Sequence, residues 1–180
     1  IRFPSSQTHI LAGLPGMKRG DVDYFPLYVG NYMLGGGGLV SRLSQEIREK
    51  RGLSYSSYSY FWPLRNRGVF MMGLQTRNDQ TGQALKVLRK TLKDYLKTGP
   101  TEKELTAAKK HITGGFPLRL DNSGKIAGYL AMIGFYNLPI TYLDDFNKNI
   151  EAVTRDQVHD ALKRRIKPDR MVTVVVGGKS

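Results

Sequence analysis

The chain has 180 residues, 40% of them hydrophobic, with no Cys and 28 Lys and Arg against 15 Asp and Glu, a formal charge of +13. A domain of this length buries roughly 70% of its unfolded surface, so one core suffices without staples. The composition excludes a disordered chain, a disulfide scaffold and a collagen-like fibre, and the lack of Cys excludes thiolate nucleophiles and thiolate-bound metal. The charge admits a plain cationic surface, a docking face for acidic partners or peptides, or nucleic-acid binding, and does not choose among them.

In chain order, Gln7 to Leu14 alternates polar and apolar residues as a strand, closed by Pro15-Gly16. Tyr24 to Leu34 is an apolar helix after Asp21 and Asp23, both good capping types, with Pro26 in its tolerated early position. Gly35 to Gly38 stops it. Val40 to Lys50 reads as a short amphipathic helix with Leu43 and Ile47 inward. Ser54 to Trp62 and Gly68 to Thr76 form a hairpin; the first strand sets Tyr58, Tyr60 and Trp62 at period two, and the second is apolar enough to be covered on both faces. Thr81 to Lys97 is a helix with Leu85, Leu88, Leu92 and Leu96 as its buried stripe.

Thr101-x-x-Glu104 is a capping box opening the next helix, broken at Gly114-Gly115 and Pro117. Asn122-Ser123 caps a further helix to about Tyr136, Leu138-Pro139 breaks it, and Tyr142 to Ala152 resumes. Thr154-x-x-Gln157 is a second capping box, with Val158, Ala161, Leu162 and Ile166 as core positions. Met171 to Val176 is a closing strand. The sum is an α+β fold: a single domain over 1–180 with a sheet of about four or more strands, mainly antiparallel, backed by helices. Ile126 to Leu143, the longest uncharged stretch, is interrupted by Gly128, Gly134, Asn137 and Pro139, and makes a poor membrane span. Opening on Ile1, the chain reads as a piece of something longer.

Candidate chemistry narrows quickly. His9, His111 and His159 are scattered, and neither His-x-x-Glu-His nor its inverse occurs, so no metal is expected. The glycine run lacks the Gly-Lys-Ser/Thr of a phosphate loop; Leu39-Val40-Ser41 follows it instead. Arg65, Arg67 and the late basic cluster match no nucleic-acid module, and no nucleic-acid partner is expected. What remains is Arg48-Glu-Lys-Arg-Gly-Leu-Ser-Tyr55, which joins a helix end to a strand through glycine. A guanidinium and a phenol held together there offer fixed donors for a peptide carbonyl. A basic helix C-cap followed by a packed strand tyrosine explains the same residues.

The run Leu34-Gly-Gly-Gly-Gly-Leu-Val-Ser-Arg-Leu43, followed by Ile47-Arg48-Glu-Lys-Arg-Gly-Leu-Ser-Tyr55, resembles the insulinase, or pitrilysin-type, family of zinc peptidases, in particular their second, non-catalytic domain. Gly-Pro-Thr-Glu-Lys-Glu-Leu at 99–105, Val-Thr-Arg-Asp-Gln-Val at 153–158 and the closing Val-Val-Val-Gly-Gly follow in order, so the similarity covers nearly the whole chain. It implies two domains of one fold enclosing a chamber, zinc and the His-x-x-Glu-His helix lying in the partner. The matching helix here, Tyr24 to Leu34, has no His and no Glu. By the same resemblance Arg48 and Tyr55 bind the peptide backbone and help stabilise its oxyanion. Arg51 is an auxiliary substrate contact, and Gly35, Gly36, Gly37 and Gly38 take the place of the longer substrate-handling glycine loop of processing peptidases. The implied partners are a catalytic domain or subunit of the same fold and peptide substrates, and the implied compartment is the bacterial periplasm. A purely structural module, as in respiratory-complex core subunits, is the alternative with the same fold.

Overall fold

The computed structural model describes residues 1–178. Four strands, β1 (Gln7–Pro15), β2 (Ser57–Trp62), β3 (Val69–Arg77) and β4 (Val172–Val176), form one sheet in the order β2-β3-β1-β4, every pair antiparallel. Six helices accompany it: α1 (Tyr24–Asn31), α2 (Thr81–Thr98), α3 (Glu102–Gly115), α4 (Ser123–Tyr136), α5 (Tyr142–Ala152) and α6 (Arg155–Arg165). The α+β reading of the sequence is therefore what the chain folds into.

Period-two alternation decides which face the helices cover. Ile10, Ala12 and Leu14 of β1 and Phe70, Met72 and Leu74 of β3 are buried beneath them. The opposite face shows Leu11, Tyr58, Trp62, Val69 and Val174 to solvent, so the expectation that β3 is covered on both faces is corrected. Its outer face is apolar for another reason: aromatic rings from the neighbouring strand lie across it. Tyr58 pairs with Gly73, and a Cβ on Gly73 would come 2.6 Å from the Tyr58 ring.

Behind the sheet, α1 crosses α6 closely enough that a Cβ on Gly30 would sit 2.9 Å from Val158. The leucine stripe of α2 is buried at Leu88, Leu92 and Leu96 and only partly at Leu85. Tyr95, absent from that stripe, is fully buried, and its hydroxyl donates to the Gly30 carbonyl at 3.1 Å. The α3 and α6 capping boxes form as expected, each with reciprocal side-chain and backbone bonds, and Asn122 caps α4 by accepting from the Lys125 N–H.

Asp23 departs from expectation. It occupies the cap position of α1 without capping it. Its carboxylate accepts from Arg164 at 2.7 and 2.9 Å and from Arg165 at 2.7 Å, while Asp21 takes Arg165 at 2.6 Å. Charge-assisted bonds of this kind are stronger than a neutral cap, so the carboxylates turn toward α6 instead. The Arg164 hydrogen bonds, aided by Arg165, hold the Asp23 carboxyl below its usual range against the effect of burial.

A second ionic tie joins the chain's middle. Arg42 makes a fork on Glu104 at 2.6 and 2.7 Å and also donates to the Gly99 carbonyl at 3.1 Å. Burial pushes the Glu104 carboxyl up, but the Arg42 hydrogen bonds and the Thr101 backbone and hydroxyl donors outweigh it and bring it from 4.5 to about 2. A carboxylate depressed in the folded state stabilises fully above its unfolded pKa, and that stability is lost as pH falls through the folded value. Urea unfolding midpoints should therefore drop between pH about 4.5 and about 2, and Glu104→Gln should flatten part of that drop. At pH 7 the same variant should cost about 1–3 kcal/mol; an unchanged midpoint would show the pair to be inert.

Candidate functional site

The site is built where α1 ends. Past Asn31 the helix widens rather than stopping: the Gly37 N–H reaches back five residues to the Tyr32 carbonyl at 2.8 Å, and the wide turn runs over Tyr32–Gly36. The glycine run thus ends the helix from within it. Gly35 lies against the edge strand, where a Cβ would fall 2.5 Å from both the Ser59 nitrogen and its hydroxyl. Next to it the Asn31 amide donates to the Ser59 carbonyl at 3.2 Å and accepts from the Ser59 hydroxyl at 2.7 Å.

At the three- and four-residue spacing of a His-x-x-Glu-His motif, α1 and its extension offer Tyr28, Asn31 and Tyr32. Phenols and an amide already committed to Ser59 are poor zinc donors, so this helix does not fit a zinc ion. Among the described residues no three His, Cys, Asp or Glu side chains gather into a metal-binding group. The His111 ring lies tilted beside Tyr32, centroids 5.4 Å apart, and His159 bonds the Leu96 carbonyl at 2.9 Å.

Between α1 and β2 lies a cleft of about 570 Å³, lined by Tyr24, Tyr28, Asn31, Gly35, Gly36, Gly38 and Ser56 through Phe61 among others. Three of the four run glycines line it, and Gly37 does not. β2 is the outermost strand of the sheet on this side, so the cleft follows a sheet edge.

Gly38 then swings the chain outward at φ 62°, and the Ser41 hydroxyl bonds the Gly38 carbonyl at 2.7 Å. The helix expected over Val40 to Lys50 is present but wider than an α-helix across Ser44–Glu49, with Leu43 and Ile47 fully buried. Gly52, at φ 59°, closes it: its N–H donates to the Arg48 carbonyl and the Leu53 N–H to the Ile47 carbonyl, both at 2.9 Å. A left-handed residue at this position is the normal use of glycine as a helix C-cap.

The return path is then pinned. The Thr76 hydroxyl of β3 bonds the Leu53 carbonyl at 2.6 Å, and Ser54 bonds Ser56 at 2.7 Å. Between these fixed points Tyr55 projects, 83% exposed. It precedes β2 rather than heading it, which corrects the expected start of that strand. The Arg48 guanidinium carbon lies 4.6 Å from the Tyr55 ring centroid, a cation–π stack.

The loop's charges sort themselves. Glu46 takes Lys50 and Arg51, the latter at 2.7 Å, and those bonds, Lys50 foremost, hold its carboxyl below the usual range against burial. Arg51 is thereby folded back onto its own helix. Arg48 has no carboxylate within ion-pair distance among the described residues. The structure therefore joins Arg48 to Tyr55, pairs Arg51 with Glu46 instead, and leaves Gly35, Gly36 and Gly38 in the neighbouring cleft, which Ser56 also lines. Asn31 and Ser59 were not singled out from the sequence, although the Ser-Tyr alternation of β2 does place its serines on the side opposite the tyrosines.

The fold is a four-stranded antiparallel sheet with helices on one face and an aromatic-lined cleft along its β2 edge. The peptidase M16 inactive domain model matches residues 1–112, and the chain belongs to that family. It is 34% identical over 165 residues to a Streptomyces coelicolor protein named an uncharacterized zinc protease, covering 89% of this chain and 36% of that one. To a Helicobacter pylori protein named a non-peptidase homolog it is 27% identical, over 80% of this chain and 33% of that one. The crystal structure of a peptidase M16 inactive domain from Pseudomonas fluorescens superposes with a TM-score of 0.93 at 43% identity, over all of this chain and 43% of that one. The chain thus spans well under half the length of these relatives.

The Asn31–Ser59 clamp and the Arg48–Tyr55 stack carry opposite expectations for stability. Asn31→Ala strands the polar groups of buried Ser59 and should cost about 1–3 kcal/mol in urea unfolding. Arg48→Ala and Tyr55→Phe, both at the surface, should stay within about 0.5 kcal/mol of the parent.

Proposed function

We propose that this domain is the substrate-binding, non-catalytic half of a zinc-dependent metalloendopeptidase and closes a chamber with a catalytic half of the same fold. The observation that carries the reading is the Arg48–Tyr55 stack: a cation without a carboxylate partner and an exposed phenol, held on a loop fixed at both ends. Zinc belongs to the partner, where it polarises the scissile carbonyl when bound. Arg48 and Tyr55 donate to backbone carbonyls of the peptide. As water adds to the scissile carbon and its π electrons move onto oxygen, the same donors stabilise the oxyanion. The phenol supplies one donor and the guanidinium the positive charge, and their mutual stack limits how far either must reorganise.

The cleft beside β2, with Gly35, Gly36 and Gly38 in its wall, accepts a further stretch of the substrate, because positions without side chains leave its wall unobstructed. Gly37 and Arg51 take part only if the peptide extends past the helix end. The periplasmic setting belongs to this proposal and is carried by the family resemblance. No described helix is long and apolar enough to cross a membrane.

A structural role without peptidase function is the second reading, favoured by the similarity to the Helicobacter protein named a non-peptidase homolog. One assay separates the two. Quenched-fluorescence peptides are presented to this chain, to its catalytic half, to both together, and to the pair carrying Arg48→Ala and Tyr55→Phe. Cleavage is expected only from the mixture, abolished by chelation, and reduced about a hundredfold or more by the two substitutions. A catalytic half fully active alone, or a mixture indifferent to both substitutions, would move the function to scaffolding.

A further inference from the structure

Two segments distant in the chain bring cations to one concavity. The last turn of α6 supplies Arg164 and Arg165, the residues just beyond it Lys167 and Arg170, and the β2–β3 hairpin Arg67, around a cavity of about 200 Å³ floored by Leu14, Pro15 and Gly16. No carboxylate is among its lining residues. A helix C-terminus accounts for cations in the last turn of α6. It does not account for Arg67 or Arg170, which lie outside that helix and have no carboxylate within ion-pair distance among the described residues. Nor does it account for their meeting the helix's own cations in a confined space, where like charges repel.

The acids of this region stand behind the cavity rather than in it. Asp21 and Asp23 grip Arg165 at 2.6 and 2.7 Å, and Asp23 and Asp160 grip Arg164 at 2.7 Å each. They fix two guanidinium groups in direction, so little side-chain freedom remains to be lost when a ligand arrives. Lys167 is steadied in the same way by the Lys163 carbonyl at 2.7 Å. The guanidinium groups of Arg67 and Arg170 have no such partner among the described residues.

We infer that this cavity is a binding site for a small multivalent oxyanion of the phosphate class. Guanidinium forks match the spacing of phosphoryl oxygens and are used wherever such groups are read bidentately. The volume holds a tetrahedral oxyanion with a few waters. A free ion and a phosphoryl group carried on a larger molecule present the same atoms to it. The site lies apart from Arg48, Tyr55 and the glycine cleft, and does not depend on the peptidase reading.

Calorimetric titration of the chain at low ionic strength with orthophosphate, tripolyphosphate and glycerol phosphate tests the assignment. Saturable binding at a single site is expected, weakened about tenfold or more in Arg67→Gln/Arg170→Gln. Both positions lie outside the core, and an unchanged melting profile without ligand confirms that the fold is kept. Lys86→Gln/Lys97→Gln removes the same charge from the exposed face of α2 and should leave affinity within about twofold. Tighter binding of glycerol phosphate than of orthophosphate identifies an esterified phosphoryl group as the ligand, and the reverse order a free ion. Three outcomes overturn the site: no saturable heat from any of the three compounds, equal weakening in both double variants, or an oligoglutamate peptide that binds more tightly than tripolyphosphate.

Discussion

The closest approach in the fold that bears on function is between the end of α1 and the edge strand. At Gly35 there is no room for a Cβ, because the Ser59 backbone and hydroxyl already occupy that space. A helix pressed this hard against a strand cannot simply stop. It widens by one residue, spends Gly35 in the contact, and leaves at Gly38 in a left-handed conformation. The next helical segment is thereby set with Leu43 and Ile47 in the core, and its far end delivers Arg48. Gly52 and the Thr76–Leu53 bond then return the chain so that Tyr55 meets the guanidinium. The pair is thus positioned by a buried contact thirteen residues before Arg48 and twenty before Tyr55.

Much of this was legible in the sequence because the relevant physics is local. Capping boxes at Thr101 and Thr154 need only two side chains three residues apart, and both formed. The α5 bounds, Tyr142–Ala152, follow from proline before and a capping box after. What was illegible depends on partners distant in the chain. Asp23 resembles a helix cap until Arg164 and Arg165, some 140 residues on, claim its oxygens. Tyr95 looked peripheral to a leucine stripe until the Gly30 carbonyl gave its hydroxyl a buried partner. The outer face of β3 looked double-covered because periodicity registers apolar surface without saying whether a helix or a neighbouring ring lies over it.

The site divides along the same line. Arg48 and Tyr55, seven residues apart and joined through one glycine, could be paired from sequence and are stacked in the structure. Arg51 sits in the same short loop, yet only the fold shows that Glu46 claims it. Spacing tells which side chains can meet, whereas competition among nearby charges decides which remain free. The Asn31–Ser59 clamp belongs to the second kind, since two ordinary polar residues 28 positions apart carry no motif.

Substituting an amide for metal ligands on α1 changes what this helix does rather than leaving it idle. In a metal-binding helix the inward polar groups are spoken for by the ion, and the helix is held partly by coordination. Here Asn31 spends both ends of its amide on Ser59, so the helix is held to the sheet edge by hydrogen bonds instead. That exchange keeps α1 and β2 at the separation that shapes the cleft and forces the wide turn. The loop after it then holds a guanidinium with no carboxylate partner among the described residues against an exposed phenol. The Asn31–Ser59 contact and the Arg48–Tyr55 stack are thus two ends of one packing arrangement, the first holding the helix to the sheet edge and the second ordering the loop that follows.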